Sequence, residues 1–477
     1  MKSWLKAAAA ASLMFGETPA PAGEPQTVAI VGADVLPMTS TERLRDQVVI
    51  VRGDSIQQVG PRARVRIPRA ARKIDAKGMT LMPGLVDMHV HVPSVPGEKG
   101  DAAARALAVM LAYGTTTARG MAGAPSHPAI REKIEKGELP GPRLYIAAPL
   151  IHSGNTPDEK TAREKVAAAK AAGFDLIKSH HIEDVKVYDV VQQEAAKLGL
   201  GTGGHVAGKV GLPRAMAAGQ QIEHLDGALR ELLPENSSAR EEMDGQFPPP
   251  PLIDILAKVE DAAFARLAAR VKAANSYQVP TLALFEKAFD TQTPTDTLAA
   301  HPAMRYVPAA TLAQWGKQRE QMTSVGFTTA QAGVMRDIRR KLALSYHQAG
   351  VPLMAGSDTA QAYHVWGEAL IQEIEALAAA GLSPMEALRS ATVVPRDYFR
   401  SLPKQGSALG WTANFGTVEK GARADLILLG TDPSRNLAAL RDLRGVMAAG
   451  NWRDKAALNA LLDEAAAAAR AVPATAK

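Results

Sequence analysis

The chain has no cysteine. Disulfides, thiolate metal sites and cysteine nucleophiles are therefore excluded. Any transition-metal site must use His, Asp, Glu or a modified Lys. No segment reaches the roughly 18 consecutive apolar residues that a membrane span needs, so none is expected. Charge of one sign is not in excess either. Lys and Arg number 55 against 49 Asp and Glu, a formal +6 spread along the chain. One basic run stands out, Arg62 to Lys73, and no aromatic residue interleaves with it. Stacking on bases would need some, so this run reads as a solvated edge strand and turn, and no nucleic-acid partner is expected.

What is present points to a globular protein. The 477 residues leave room for one domain of about 250 residues or more and a smaller one. Apolar residues make up 46% and charged residues 22%, as in a packed fold. The start of the chain reads as an export leader over residues 1–22. Lys2 and Lys6 precede the small apolar stretch Ala7 to Phe15, and Ala20-Pro21-Ala22 resembles a cleavage site. Such a leader would place the mature protein in the periplasm or outside the cell.

Short strands are expected first: Val28 to Val31, Gln47 to Val51 and Ser55 to Val59, with a turn at Gly53-Asp54. From residue 89 the rhythm changes to strand–helix alternation. Strands are expected at Thr115–Arg119, Arg143–Ala148, Phe174–Lys178, Gly201–His205, Gln221–His224, Val279–Ala283 and Val351–Ala355, with helices between them. Asp101 is placed to cap the first helix. With the strand ending at His89, these make eight, which argues for a closed parallel barrel. The interval from His224 to Asp358 is longer than two βα units of about 30 residues need. The surplus, Glu231–Pro251 and Phe289–Gly333, reads as lid or oligomer segments. Ser383-Pro384-Met385-Glu386 is a capping box with proline at the first helical position. β character returns after Gly406, at Gly416–Val418, Ala424–Leu429, Gly445–Met447 and Gly450–Trp452, before an alanine-rich helix, Lys455 to Val472. The expected fold is α/β: a (β/α)8 TIM barrel over residues 85–404, a small β-sandwich domain built from both chain termini (23–84 and 405–455), and a helical tail, 456–477.

His89 and His91 close the apolar run Met79 to Val86. On a strand, residues two apart share a face, so both imidazoles can reach one metal ion. Alone, the pair is within reach of chance among 11 histidines. Barrel sites, however, sit at the C-terminal strand ends. Lys178, His205, His224 and Asp358 end or follow four further expected strands. Six residues of metal-binding chemistry at five strand ends are harder to credit to chance.

Pro83-Gly84-Leu85-Val86-Asp87-Met88-His89-Val90-His91 is followed in order by Lys178, His205, Ile222-Glu223-His224 and Gly356-Ser357-Asp358. In this the chain resembles the amidohydrolase superfamily of metal-dependent hydrolases. Gly416 to Leu426 is similar to that superfamily's closing strand. The likeness covers nearly the whole chain after the leader and is greatest for the prolidase-like and imidazolonepropionase-like branch. It implies that His89, His91 and Asp358 hold one divalent metal ion and His205 and His224 a second. Lys178, carboxylated to N6-carboxylysine, would bridge the two. Nitrogen and oxygen ligands suit Zn2+. A metal-bridging hydroxide would attack the scissile carbonyl, with Asp358 as the proton acceptor and donor. The implied reaction is hydrolysis of an amide (C–N) bond in a dipeptide, a peptide C-terminus or an N-acyl amino acid, as in a dipeptidase or carboxypeptidase. A cyclic amide or lactone hydrolase and a non-catalytic scaffold are the alternatives. The complete ligand set argues against the scaffold. Arg119, His152, His181 and His364 are the candidate substrate contacts. The expected partners are a small-molecule amide and further copies of the chain.

Overall fold

The computed structural model describes residues 26–93, 102–243, 246–323 and 327–473. The leader expected over residues 1–22 and the Asp101 cap lie outside them. Fifteen strands are present among the described residues: β1 (Thr27–Val35), β2 (Leu44–Arg52), β3 (Ser55–Pro61), β4 (Arg72–Asp75), β5 (Thr80–Pro83), β6 (Leu85–Val90), β7 (Thr115–Gly120), β8 (Arg143–Ile146), β9 (Leu176–Ser179), β10 (Gly201–Gly204), β11 (Gln221–Glu223), β12 (Gln278–Val279), β13 (Leu426–Leu429), β14 (Leu443–Ala448) and β15 (Asn451–Asp454).

Strands from both ends of the chain join in one sheet, in the order β15-β14-β13-β5-β1-β2-β3, with β4 beside β1. Alternation along its strands sorts side chains between faces. Leu426 and Leu428 pack with Val28, Ile30, Val49 and Val51, whereas Ile427 and Leu429 join the main core shared with the helices. Ala29, Val48 and Ile50 form a third cluster on the opposite side of β1 and β2. Gly416–Val418, expected as a strand, is irregular backbone. Its Val418 nevertheless packs into the cluster with Val28 and Leu426.

The middle of the chain forms two parallel sheets, β6-β7-β8 and β12-β11-β10-β9. Parallel bridges Ala147↔Leu176 and Ile151↔Ser179 link β8 and its continuation to β9. Segment 353–359 has no regular strand, yet it is hydrogen-bonded on both sides. Met354 N donates to Gln278 O at 2.9 Å, Met88 N to Ala355 O at 3.0 Å and Asp358 N to His89 O at 2.7 Å. The strand expected over Val279–Ala283 is only two residues long, because a helix, Leu282–Ala288, begins almost at once. Capping side chains open two of the helices. Asp158 caps Glu159–Ala171 by accepting from Thr161 N at 2.7 Å. Ser383 and Glu386 form the reciprocal box that opens Pro384–Ser390. The C-terminal helix Lys455–Ala471 packs against Ala102–Ala112. Among the described residues no helix is long and apolar enough to cross a membrane.

Candidate metal centre and its cavity

The strand-end residues converge. His89, His91 and Asp358 each offer a ligand atom, and these atoms lie within 4.8 Å of one another. Asp358 Oδ1 is 3.3 Å from His89 Nε2 and 3.2 Å from His91 Nε2, while its Oδ2 is 3.8 Å from His224 Nε2. Lys178 Nζ is 3.0 Å from His89 Nε2. The His205 ring stacks on His224 with centroids 4.9 Å apart. All six residues singled out from the sequence therefore meet at one place. His91 Nε2 and Asp358 Oδ1 are buried and have no hydrogen-bond partner. Two acceptor-capable atoms aimed at one another in this way fit a cation between them.

A buried network aims the rings. His89 Nδ1 meets Glu223 Oε2 at 2.7 Å, His205 Nδ1 meets Asp226 Oδ2 at 2.8 Å, and His224 Nδ1 meets Thr281 Oγ1 at 2.8 Å. Each Nδ1 is thereby occupied, and the Nε2 atoms of His89 and His224 are turned to Asp358 at the centre, the usual arrangement of metal-binding imidazoles. Asp87 accepts from Ser357 N at 2.9 Å and Ser357 Oγ at 2.6 Å, tying β6 to the Asp358 loop. Glu223, Asp226, Asp87 and Thr281 were not assigned roles from the sequence. For Asp87 a signal existed, since it shares the strand face of His89 and His91. For the others only the fold brings the partners together.

Burial dominates the electrostatics. It pushes His91 down to about 3 and holds His89, His205 and His224 low, so these imidazoles are neutral near pH 7, as metal ligands must be. Burial also lowers Lys178. It raises Asp358 and Glu223 to about 7, against the pull of Lys178 and Arg119 respectively. The centre thus concentrates groups that lose their charge unless a cation enters.

In front of the centre lies a cavity of about 570 Å³, into which His91, Lys178, His205, His224 and Asp358 face. Its other walls are largely apolar, with Leu150, Phe247, Leu284 and Phe285 among them. Both long segments between His224 and Asp358 contribute: Gln246 and Phe247 from the first, Gln318 and Arg319 from the second. The candidate substrate contacts are placed differently. Arg119 is fully buried beneath the centre, donating to Glu223 Oε1 at 2.5 Å and Met88 O at 2.7 Å. His364 is also fully buried. His181 has its ring stacked on His205 at 5.0 Å, and His152 reaches only the edge of His180, with centroids 6.4 Å apart. None of the four is among the residues that line the cavity, whereas His180 is. His181 has φ +52°, a left-handed turn that separates the directions of two adjacent histidines.

Histidines, an aspartate and a lysine gathered at the ends of parallel strands form a set that could hold a metal ion, as a metal-dependent hydrolase requires. The chain belongs to the amidohydrolase family, whose sequence profile matches residues 80–453. An imidazolonepropionase from Chloroflexus aggregans is 48% identical over 50 residues, 10% of this chain. That match spans only 12% of the relative's length. Among solved structures, bottromycin amidohydrolase superposes with a TM-score of 0.67 at 22% identity, covering 95% of this chain and 92% of its own. A Xaa-Pro dipeptidase with bound methionine gives 0.62 at 17% identity, covering 90% and 100%. These likenesses establish the shared fold.

Proposed function

We propose that this chain hydrolyses the amide bond of a dipeptide, a peptide C-terminus or an N-acyl amino acid at a centre of two divalent ions. His89, His91 and Asp358 would hold one ion and His205 and His224 the other. Lys178, carrying a carbon dioxide-derived carboxylate on Nζ, would bridge them. The observation that carries this reading is the convergence of His89, His91 and Asp358 within 4.8 Å in a chain of this family. When bound, the ions supply an acidified water and polarisation of the carbonyl. The protein's own groups do the rest. Asp358 can hold an ion through one oxygen and accept and return a proton through the other. Glu223, Asp226 and Thr281 keep the imidazoles in the tautomer that presents Nε2. A lysine whose charge burial disfavours has the free amine that reaction with carbon dioxide requires.

The same reading extends to architecture. The bridges from β8 to β9, from Gln278 to Leu353 and from Val90 to Thr359 support a closed (β/α)8 barrel. The sheet drawn from both termini supports a separate β-sandwich domain.

The test is a metal analysis followed by a hydrolysis screen of the zinc-loaded protein. Two equivalents of zinc and cleavage of Xaa-Pro or other dipeptides, or of N-acyl amino acids, are expected. Turnover confined to lactams or lactones would move the assignment to a cyclic-substrate hydrolase. A protein that takes up no zinc even with bicarbonate would be a scaffold.

A further inference from the structure

The cavity carries a charge pattern that the metal chemistry does not use. Apart from Lys178 and Asp358, which belong to the centre, the charged residues on its wall among the described residues are Lys287 and Arg319, both cationic. Lys287 lies on the helix Leu282–Ala288, one turn and a half beyond Thr281, whose hydroxyl holds the His224 ring. Its ammonium donates to Tyr363 O at 2.6 Å and to the Gln372 side-chain oxygen at 3.2 Å. Both acceptors are neutral, and an ammonium has three protons. Asp290 and Glu368 act on it only from a distance, and burial pulls its pKa down to about 8, so the group stays mostly charged near pH 7 without an ion pair.

Arg319 comes from the second long segment, on the helix Ala309–Thr323. Its guanidinium donates to Asp290 O at 2.5 Å and to Thr293 O at 2.8 Å, which fixes it against the same wall. Beside these cations the wall is apolar. Phe285 lies two residues before Lys287, and the Phe247 ring is 5.7 Å from it. A cavity of this volume takes a ligand of dipeptide size. The half-buried Lys287 ammonium, with no ion pair among the described residues, is a place for a substrate's own anion.

We propose that Lys287, backed by Arg319, is the specificity-determining residue that receives a carboxylate of the substrate, while Phe247 and Phe285 receive an apolar or aromatic side chain. This rests on the reading of the cavity as the substrate site of an amide hydrolase. It adds the residue that reads the carboxylate the proposed substrates already carry, and a preference for an apolar side chain beside it. The competing role for Lys287 is a strut for the loop at Tyr363, and that role would not tell an acid from its amide.

The experiment is calorimetric titration of the zinc-loaded full chain with N-acetyl-L-phenylalanine and, separately, with its primary amide. The wild type is expected to bind the acid about tenfold to a hundredfold more tightly, the value of a charge-assisted hydrogen bond. Lys287→Gln, which keeps a donor for Tyr363 O, and Lys287→Met should both lose that preference while binding the amide as before. Lys287→Arg should retain it. Equal affinities in the wild type, or binding of neither compound, would overturn the proposal. So would a preference that survives in both neutral variants, because the metal ions would then be taking the carboxylate. Hydrolysis is read separately. A Lys287-dependent preference without turnover of any amide sinks the hydrolase assignment and leaves the carboxylate site standing. Turnover without the preference does the reverse.

Discussion

Arg119 offers the sharpest test of how the centre is held. Its position at the end of β7 suggests a substrate contact, but the structure places it underneath, fully buried. Its Nη2 bonds Glu223 Oε1, and Glu223 Oε2 bonds His89 Nδ1 at 2.7 Å, so three residues form one line ending on His89, a proposed metal ligand. Replacing Arg119 with Gln leaves a wholly buried carboxylate without its counter-charge. Breaking a buried pair in this way costs about 3–5 kcal/mol, less whatever is recovered when Glu223 takes up a proton. That recovery is available, because Glu223 already stands at about 7 and loses the group that holds it down. A protonated Glu223 is a poorer acceptor for His89 Nδ1–H. Supporting partners of this kind are worth about 10–100-fold in metal affinity, or about 1.4–2.8 kcal/mol. Competition with a zinc chelator should therefore show Arg119→Gln binding metal at least tenfold more weakly. The deficit should shrink as pH rises and Glu223 ionises. Thermal unfolding of the metal-free variant should also move down. Metal affinity within twofold of the wild type, combined with a raised KM, would refute the reasoning and restore Arg119 as a substrate contact.

Four further outcomes are expected. Lys178→Ala should lose bound metal and more activity than the roughly hundredfold typical of outer partners, with partial rescue by acetate or propionate; full activity without added acid would remove the bridging role. Asp358→Asn should keep its unfolding profile but lose about 10²–10⁴ in kcat, and normal turnover would exclude it as the proton carrier. Gly356→Ala would set a Cβ 2.5 Å from Val279 Cγ1 and 3.0 Å from His89 Cβ, so it should cost about 1–3 kcal/mol of stability and weaken metal retention, as chelator competition would show. Burial pushes Glu373 up to about 8, so the stabilisation by its protonated form is complete below about pH 4.5 and gone once pH has risen through about 8; thermal melts should show Glu373→Gln gaining on the wild type by about 1.4 kcal/mol between pH 7 and 9, the last part of a total of about 5 kcal/mol, and parallel curves would contradict the burial argument.

Local pattern carried the parts of this molecule that local physics decides. Two-residue periodicity put His89 and His91 on one face. The capping box at Ser383 marked a helix that begins where expected. It failed where tertiary contacts decide. A two-residue β12 has no period to detect, and segment 353–359 holds its place through bonds to both neighbours rather than through strand propensity. A strand-end position also cannot say whether a side chain points into the cavity or below it. Arg119 lies below and His364 is buried off the cavity wall, and His180, not His181, reaches the cavity.

The deepest reason is visible in the backbone of the centre itself. His224 has φ +60°, Asp358 +54°, Thr281 +49° and His181 +52°, all non-glycine residues in the left-handed region. Each conformation costs on the order of 1–2 kcal/mol and persists only where its surroundings over-determine it. The surroundings here are distant in sequence. Arg339 Nη1 donates to His224 O at 2.9 Å, and its guanidinium lies 3.4 Å above the Phe285 ring. Asp358 N is held by His89 O across the β6 edge. Glu373 accepts from Ala283 N at 2.8 Å and anchors the helix that follows Thr281. Residue types with the right chemistry can be picked out along the chain by spacing alone. Turning two of them, His224 and Asp358, to face His89 requires strained backbone that only the assembled fold can hold, so the geometry of the centre is a tertiary property built on a locally legible ligand list.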